Sequence, residues 1–237
     1  MIVLGIDTSG YANAVGVVDG KKILADVTYE AKADSLEQII LNIDSTLRSS
    51  ELNLQDVHGI GVGLGPGSWT GIRVGVTVGK MIAFSLGKPV CGVPTLEALA
   101  YSARGESSPI YAIISAGTKD TVYAACYRTS GDTVTRNDEY YVGDVRGLLN
   151  LIPEPAVLVG NGVQAYRGIA SPGVDKSATG VKTFEATPAG AAIALLALRR
   201  LEEGQSDDVL SLTPLYLKES TAKAFINRYM FKAESGD

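Results

Sequence analysis

The chain is short of the side chains on which metal and nucleophilic catalysis commonly depend. Its 237 residues include one histidine, His58, and two cysteines, Cys91 and Cys126. A metal site built on two histidines at helical spacing is therefore excluded. His58 lies at the start of an apolar strand, where we expect a hydrogen-bonded structural role. Both cysteines lie inside apolar runs, so we expect buried free thiols in a reducing compartment and no disulfide framework.

Long apolar runs and an excess of positive charge are also missing. No apolar run approaches the roughly 20 residues of a membrane-spanning helix, and the N-terminus lacks the basic segment of a signal peptide. These features predict a cytoplasmic protein without membrane association. The formal net charge is −5, so we expect any contact with a nucleic acid to depend on a partner protein. The length fits one large domain or two small ones.

The most informative segment runs from Gly63 to Arg73 and reads GLGPGSWTGIR. It follows an apolar run and precedes a helical pattern that extends to Leu86, which predicts a strand, a tight loop and a helix N-terminus. The free N–H groups and positive dipole end of a helix N-terminus can hold an anion. A sharp turn without a ligand explains the glycines equally well. The segment matches neither the Walker A pattern nor the dinucleotide-binding pattern.

A second polar segment, Asp7-Thr8-Ser9-Gly10, ends the first predicted strand. An acid followed by hydroxyl groups can hold Mg²⁺ and phosphate oxygens. We slightly favour the alternative, a turn in which Asp7 and Ser9 bond to the local backbone. The candidate nucleotide-binding residues are Asp7, Thr8, Ser9, Gly65, Gly67 and Ser68.

The order of predicted elements repeats. Each half opens with a meander of three strands and continues with alternating helices and strands, which predicts a duplicated α/β fold with mixed sheets flanked by helices. We expect two lobes, residues 1–105 and 106–218, and a tail, residues 219–237. The third strand is predicted at Lys22–Tyr29, with Ile23, Ala25 and Val27 alternating with Lys22, Leu24 and Asp26. In the second half we predict a strand at Thr133–Val142 and a loop at Gly168–Lys182.

Two predicted helices carry stripes of small or apolar residues. In the second helix Gly71, Gly75, Gly79 and Ala83 recur every four residues. Each interior glycine costs about 1 kcal/mol relative to alanine, so something must pack very close to this face. That neighbour is either the chain's own sheet, which the pattern alone favours, or another subunit. The first helix presents the same ambiguity with Leu36, Ile39, Ile40, Ile43 and Leu47.

Four motifs together resemble the TsaB/TsaD group. They are IDTS at residues 6–9, GPGSWTGIR at 65–73, GVPTL at 92–96 and PLYLK at 214–218. The resemblance is strong over residues 1–105 and thinner beyond. It implies the actin-like, sugar-kinase-like ATPase fold. Members of the TsaD branch carry a histidine pair that binds metal. This chain has His58 alone, and so it resembles the TsaB branch, the non-catalytic partner of TsaD.

The resemblance implies a scaffold that pairs with TsaD and acts with the ATPase TsaE. The complex would transfer a threonylcarbamoyl group to N6 of adenosine 37 in tRNAs that read codons starting with A. This chain would need no cofactor, metal or catalytic residue of its own, although ATP or ADP with Mg²⁺ is an option within the complex, and it would meet tRNA only indirectly. A homodimer through the same helices would compete with TsaD. The implied interface residues are Leu36, Ile39, Ile40, Ile43, Arg73, Gly75, Val76 and Gly79.

Two enzyme classes stay open as alternatives. One is an ATP-binding or ATP-hydrolysing, sugar-kinase-like enzyme that uses Asp7 and the glycine loop, for which Gly160-Asn161-Gly162 is the candidate second phosphate loop. The other is a peptidase, the older glycoprotease label of the group. The peptidase is disfavoured because the sequence offers neither a G-x-S-x-G elbow nor a cysteine beside basic residues.

Overall fold

A computed structural model of the chain describes residues 1–10, 12–30, 35–117, 120–153, 155–164, 181–184 and 189–218. The predicted tail, residues 219–237, lies outside them. The strands are β1 (Ile2–Asp7), β2 (Ala12–Asp19), β3 (Lys22–Glu30), β4 (Gly59–Gly63), β5 (Val90–Val93), β6 (Ile110–Ser115), β7 (Thr121–Ser130), β8 (Thr133–Arg136), β9 (Tyr141–Asp144), β10 (Ala156–Val159) and β11 (Val181–Phe184). The α-helices are α1 (Ser35–Ser49), α2 (Trp69–Leu86), α3 (Thr95–Ser102), α4 (Val145–Leu149) and α5 (Gly190–Glu202).

The two sheets share a five-strand topology, and the second has β9 as a sixth strand that pairs with β7. The first has the order β3-β2-β1-β4-β5, in which the opening meander is antiparallel and β4 and β5 run parallel to β1. The second has the order β8-β7-β6-β10-β11, again with an antiparallel meander and two parallel strands beyond its first strand. The duplicated mixed-sheet architecture predicted from the element order is confirmed.

The helices and sheets form alternating layers. Helices α1 and α2 pack on the outer face of the first sheet, where Ile39, Ile72 and Val76 are buried. Helices α3 and α5 lie between the two sheets and share one apolar core with both. The short α4 packs on the outer face of the second sheet. One apolar core therefore contacts both sheets.

Helix α5 lies unusually close to the first sheet. A Cβ atom added to Gly16 of β2 would lie 2.1 Å from the backbone nitrogen of Ala191. Only glycine permits this close backbone approach. The carboxylate of Asp26 on β3 accepts a hydrogen bond of 3.0 Å from the same nitrogen, so β3 supplies the N-terminal cap of α5. Burial raises the pKa of Asp26 above its usual range.

The C-terminal segment returns to the first sheet after α5. Asp207 forms a β-bridge with Val90, and the Leu215 amide donates to the Leu64 carbonyl at 2.9 Å. The predicted boundary near residue 105 falls in the connection between α3 and β6, but residues 190–218 pack on the first sheet. Helical periodicity identifies an apolar face and cannot identify which sheet will cover it.

Three local predictions are wrong. A β-bulge opposite Val17 and Val18 inserts Leu24 as an extra residue and shifts the alternation of β3, so that Leu24 packs on the core and Ile23 is exposed. The strand predicted at residues 133–142 is two strands, β8 and β9, which pair with different parts of β7. The loop predicted at residues 168–182 ends in β11, which begins at residue 181; its residues 168–180 lie outside the described parts.

Candidate functional site

The two polar motifs meet at one edge of the first sheet. Asp7 ends β1, the glycine loop (residues 64–68) follows β4, and Thr95 begins α3 directly after β5. These three strands are parallel neighbours, so their carboxyl ends lie side by side. In open α/β sheets this edge is where ligands commonly bind. The sequence prediction did not include Thr95 in the site, although it falls within the GVPTL motif.

The carboxylate of Asp7 is buried and accepts three hydrogen bonds from the chain itself. Its Oδ1 accepts from the backbone nitrogen of Ser9 at 2.8 Å and from the Ser9 hydroxyl at 2.6 Å. Its Oδ2 accepts from the Thr95 hydroxyl at 2.8 Å. A Cβ atom at Gly63 would lie 2.1 Å from Oδ2. The turn predicted as the alternative use of Asp7 and Ser9 is therefore present.

Burial governs the electrostatics of Asp7. The residue is 1% exposed, and loss of hydration raises the pKa of its carboxyl group above the ordinary 3.8, against the opposing effect of the hydrogen bonds from Ser9 and Thr95. Among the described residues, no lysine or arginine contributes to this pKa shift. Ser9 and Thr95 already use three of the acceptor positions of this carboxylate.

The glycine loop is packed against the end of β1. The Ser68 amide donates to the Ser9 carbonyl at 2.7 Å, and a Cβ atom at Gly67 would lie 2.2 Å from that carbonyl oxygen. The Ser68 hydroxyl accepts from the Gly71 amide at 3.3 Å and so caps α2. Gly65 exchanges hydrogen bonds with Thr95. The loop's hydrogen-bonding groups thus serve the turn between β4 and α2.

The stripe of small residues on α2 faces the chain's own sheet. A Cβ atom at Gly75 would lie 2.2 Å from the Thr8 hydroxyl oxygen, and one at Gly79 would lie 2.2 Å from a methyl carbon of Val62. The Thr8 hydroxyl in turn donates to the Gly71 carbonyl at 2.6 Å. Intrachain packing therefore accounts for the glycines of the second helix.

The remaining candidate groups have structural roles. His58 accepts from the Ile2 amide through Nδ1 at 3.1 Å, which fits the expected hydrogen-bonded role. Cys91 and Cys126 are free and buried, and burial raises the pKa of Cys91 to about 11, which disfavours a thiolate nucleophile. Asn161, in the candidate second phosphate loop, accepts from the Ser115 amide at 2.9 Å. Across the described parts of the chain, no three His, Cys, Asp or Glu residues cluster as metal ligands would.

The segment after α5, residues 205–218, crosses the glycine loop and α2, and we call it the C-terminal strap. The Lys80 ammonium group donates to the Leu210 and Leu212 carbonyls at 3.0 and 2.8 Å. The Trp69 and Tyr216 rings stack with centroids 4.4 Å apart. Arg73 donates through Nε to the Tyr216 hydroxyl at 3.0 Å. These contacts fix the strap along α2 from Trp69 to Lys80.

The outer sides of α1 and α2 carry exposed apolar side chains. Ile40 and Leu41 of α1 are 52% and 56% exposed, and Met81 and Phe84 of α2 are 62% and 69% exposed. The two helices pack side by side on the first sheet, so these side chains belong to one surface, which we call the α1–α2 face.

The eight interface candidates divide into two sets. Ile40 and Arg73 are exposed and could touch a partner directly. Leu36 lies in α1, but its side chain is outside the described set. The others are buried against the chain's own sheet, and they are Ile39, Ile43, Gly75, Val76 and Gly79. An interface on these helices would use their outward residues, several of which the periodicity argument passed over.

Comparisons with known proteins agree with this architecture. A structure described as an uncharacterized protein with similarity to peptidase YEAZ, from Pseudomonas aeruginosa, superposes with a TM-score of 0.76 at 21% identity, covering 92% of this chain and 99% of that one. Component A of (R)-2-hydroxyglutaryl-CoA dehydratase from Acidaminococcus fermentans superposes with a TM-score of 0.51 at 13% identity, over 85% and 99% of the two chains. The fold is thus the two-lobed, actin-like α/β fold.

Sequence comparison then identifies the family. The family model described as TsaD, tRNA N6-adenosine threonylcarbamoyltransferase, matches residues 22–224, and the chain belongs to this family. The tRNA threonylcarbamoyladenosine biosynthesis protein TsaB of Bacillus subtilis is 28% identical over 94% of this chain and 97% of its own length. The resemblance to the TsaB/TsaD group is confirmed. No helix in the described parts is long and apolar enough to cross a membrane.

Proposed function

We propose that this chain is a non-catalytic subunit of the system that makes threonylcarbamoyladenosine in tRNA. It pairs with a TsaD protein through the α1–α2 face and supports transfer of the threonylcarbamoyl group to N6 of adenosine 37, with TsaE as the ATPase of the system. The proposal draws on similarity to TsaB across nearly the whole chain and on family membership.

The proposal that this chain is non-catalytic is supported by the hydrogen bonds that the Asp7 site makes within the chain. Both oxygens of the Asp7 carboxylate are occupied by Ser9 and Thr95, and the glycine loop is bonded to the end of β1. A nucleotide-hydrolysing enzyme of this fold would need an acid free to act on Mg²⁺ or water. The geometry supports a site that stabilises the turn rather than one that holds ATP.

The α1–α2 face supports the pairing part of the proposal. Ile40, Leu41, Met81 and Phe84 are all more than half exposed, although burying such side chains in water-free contact stabilises a protein by about 1.5–3 kcal/mol each. Clusters of exposed apolar residues mark protein–protein contacts. A homodimer through the same face would use the same side chains and would exclude TsaD.

Co-expression with TsaD of the same organism tests the proposal. Size-exclusion chromatography with light scattering should give a one-to-one complex, and Phe84→Glu should abolish it because the charge would be buried at the contact. Leu151→Glu is the matched control, since Leu151 is 64% exposed and lies beyond α4 on the second sheet's side.

Two results would contradict the proposal. One is a TsaD that transfers threonylcarbamoyl as fast alone as with this chain. The other is a Phe84→Glu variant that keeps the complex intact. Calorimetry with ATP·Mg²⁺ addresses the kinase-like alternative, and we expect no binding heat from the isolated chain.

A further inference from the structure

One part of the surface is basic although the chain as a whole is acidic. From residue 57 to residue 96 the sequence contains Arg73, Lys80 and Lys88 and no aspartate or glutamate, while the net charge of the chain is −5. The strap, residues 205–218, adds Lys218 near its end and carries its two acids, Asp207 and Asp208, near its start. Arg73 and Lys218 lie beside the stacked Trp69 and Tyr216 rings, whereas Lys80 is bonded to two strap carbonyls and Lys88 lies beyond the end of α2.

An exposed aromatic ring lies within this basic region. Tyr216 is 42% exposed, and one face of its ring is stacked on Trp69 with an angle of 12° between the planes, so we infer that the opposite face is the accessible one. The Arg73 guanidinium carbon lies 5.2 Å from the Trp69 ring centroid and 5.7 Å from that of Tyr216. Lys218 lines the same shallow depression as both rings.

The cation and the aromatic pair hold each other in place. Arg73 uses Nε for the Tyr216 hydroxyl, and within the described parts of the chain its two terminal nitrogens have no acceptor. The ring of Tyr216 is held both by the stack and by this hydrogen bond, so little ordering would be needed for a further ring to stack on it. An exposed aromatic ring beside cationic side chains is the arrangement that binds single-stranded nucleic acid.

We propose that this surface, made of Trp69, Arg73, Tyr216 and Lys218, binds single-stranded RNA. An unpaired base stacks on the free face of Tyr216, and Arg73 and Lys218 bind the adjoining phosphates. The choice of RNA rests on the proposed function, because the unpaired anticodon loop of a tRNA would be the ligand. Single-stranded loops are favoured over duplexes, since only an unpaired base can be stacked on a side chain.

A binding titration tests this inference with the full chain, alone and with TsaD. The probe is a fluorescently labelled tRNA anticodon stem–loop, and a fully paired hairpin of equal length is the control RNA. Tyr216→Ala should weaken binding about tenfold or more, the loss typical of one stacked base. Tyr216→Phe should keep the affinity because it keeps the ring. Lys218→Gln should reduce the slope of log affinity against log salt by about 0.7, as expected for one phosphate contact.

Three controls separate the outcomes. Hydrogen exchange of the Leu215 amide, which donates to the Leu64 carbonyl, reports whether each variant keeps the strap in place, and Lys22→Gln removes an exposed cation far along the chain from this surface. Complex formation with TsaD, measured by light scattering, tests the proposed function separately. The inference is overturned if Tyr216→Ala binds the stem–loop as the parent chain does, or if neither the chain nor its TsaD complex prefers the stem–loop to the paired hairpin. It is also overturned if Tyr216→Ala loses TsaD and keeps RNA, which would make the surface a protein contact.

Discussion

Substitution of Gly75 by alanine should destabilise the chain although alanine is the better helix former. The added Cβ atom would lie 2.2 Å from the Thr8 hydroxyl oxygen, and that hydroxyl is buried and bonded to the Gly71 carbonyl. The helix would gain about 1 kcal/mol from the loss of glycine. Against this stand about 1–3 kcal/mol of overpacking and about 1 kcal/mol for the displaced hydrogen bond. We expect a net loss of about 1–3 kcal/mol in unfolding free energy.

The same substitution should have the opposite sign when Thr8 is alanine. Without the hydroxyl and methyl groups, the nearest side-chain atom of residue 8 is its Cβ atom. This atom would lie 3.4 Å from the Cβ atom added at residue 75, which is an ordinary van der Waals contact. Gly75→Ala should then stabilise the Thr8→Ala background by about 1 kcal/mol, so the double-mutant cycle gives a coupling of about 2–4 kcal/mol. Urea denaturation followed by Trp69 emission measures all four variants. Equal effects in the two backgrounds would refute the explanation of the glycine stripe by intrachain packing.

Three further predictions concern single contacts. Burial raises the pKa of Asp7. The stability that the protonated carboxyl contributes is therefore fully present below the unfolded-state pKa of about 3.9 and is lost as pH rises through the folded-state pKa. The unfolding free energy of Asp7→Asn relative to the parent should rise with pH above about 4. Asp26→Ala should lower the unfolding free energy, measured by urea denaturation, by about 1 kcal/mol, because Asp26 caps the N-terminus of α5. Lys80→Met should speed hydrogen exchange of the Leu212 and Leu215 amides about tenfold, because it removes two hydrogen bonds that hold the strap.

Each of these predictions has a matched control. A stability difference between Asp7→Asn and the parent that stays constant with pH would contradict the first. Asp44→Ala, which removes an exposed ion pair with Arg48, should cost less than Asp26→Ala, since surface pairs contribute little. Lys88→Met, beyond the end of α2, should leave exchange in the strap unchanged; equal acceleration by both lysine variants would mean that Lys80 does not anchor it.

The repeated order of meanders, helices and strands was readable because strand and helix periodicities are local properties of the chain. The same local patterns predicted turns at Asp7 to Ser9 and at the glycine loop, and identified both segments as candidate site residues. They could not predict the β-bulge that inserts Leu24, because a bulge is a property of the pairing between β2 and β3. The division of residues 133–142 into two strands was missed for the same reason. It arises because β8 and β9 pair with different parts of β7.

The sequence by itself determined most of the element order, the duplicated fold and the absence of a histidine pair, because each of these depends on residue type and spacing along the chain, and the resemblance of its motifs identified the family. The tertiary structure decided how those elements are used. It brought Thr95 across to close the Asp7 carboxylate, turned the glycines of α2 toward Thr8 and Val62, and left Phe84 and Tyr216 exposed. These outcomes depend on contacts between residues far apart in sequence, and a periodic pattern on a helix is the same whether its small face meets the chain's own sheet or a partner.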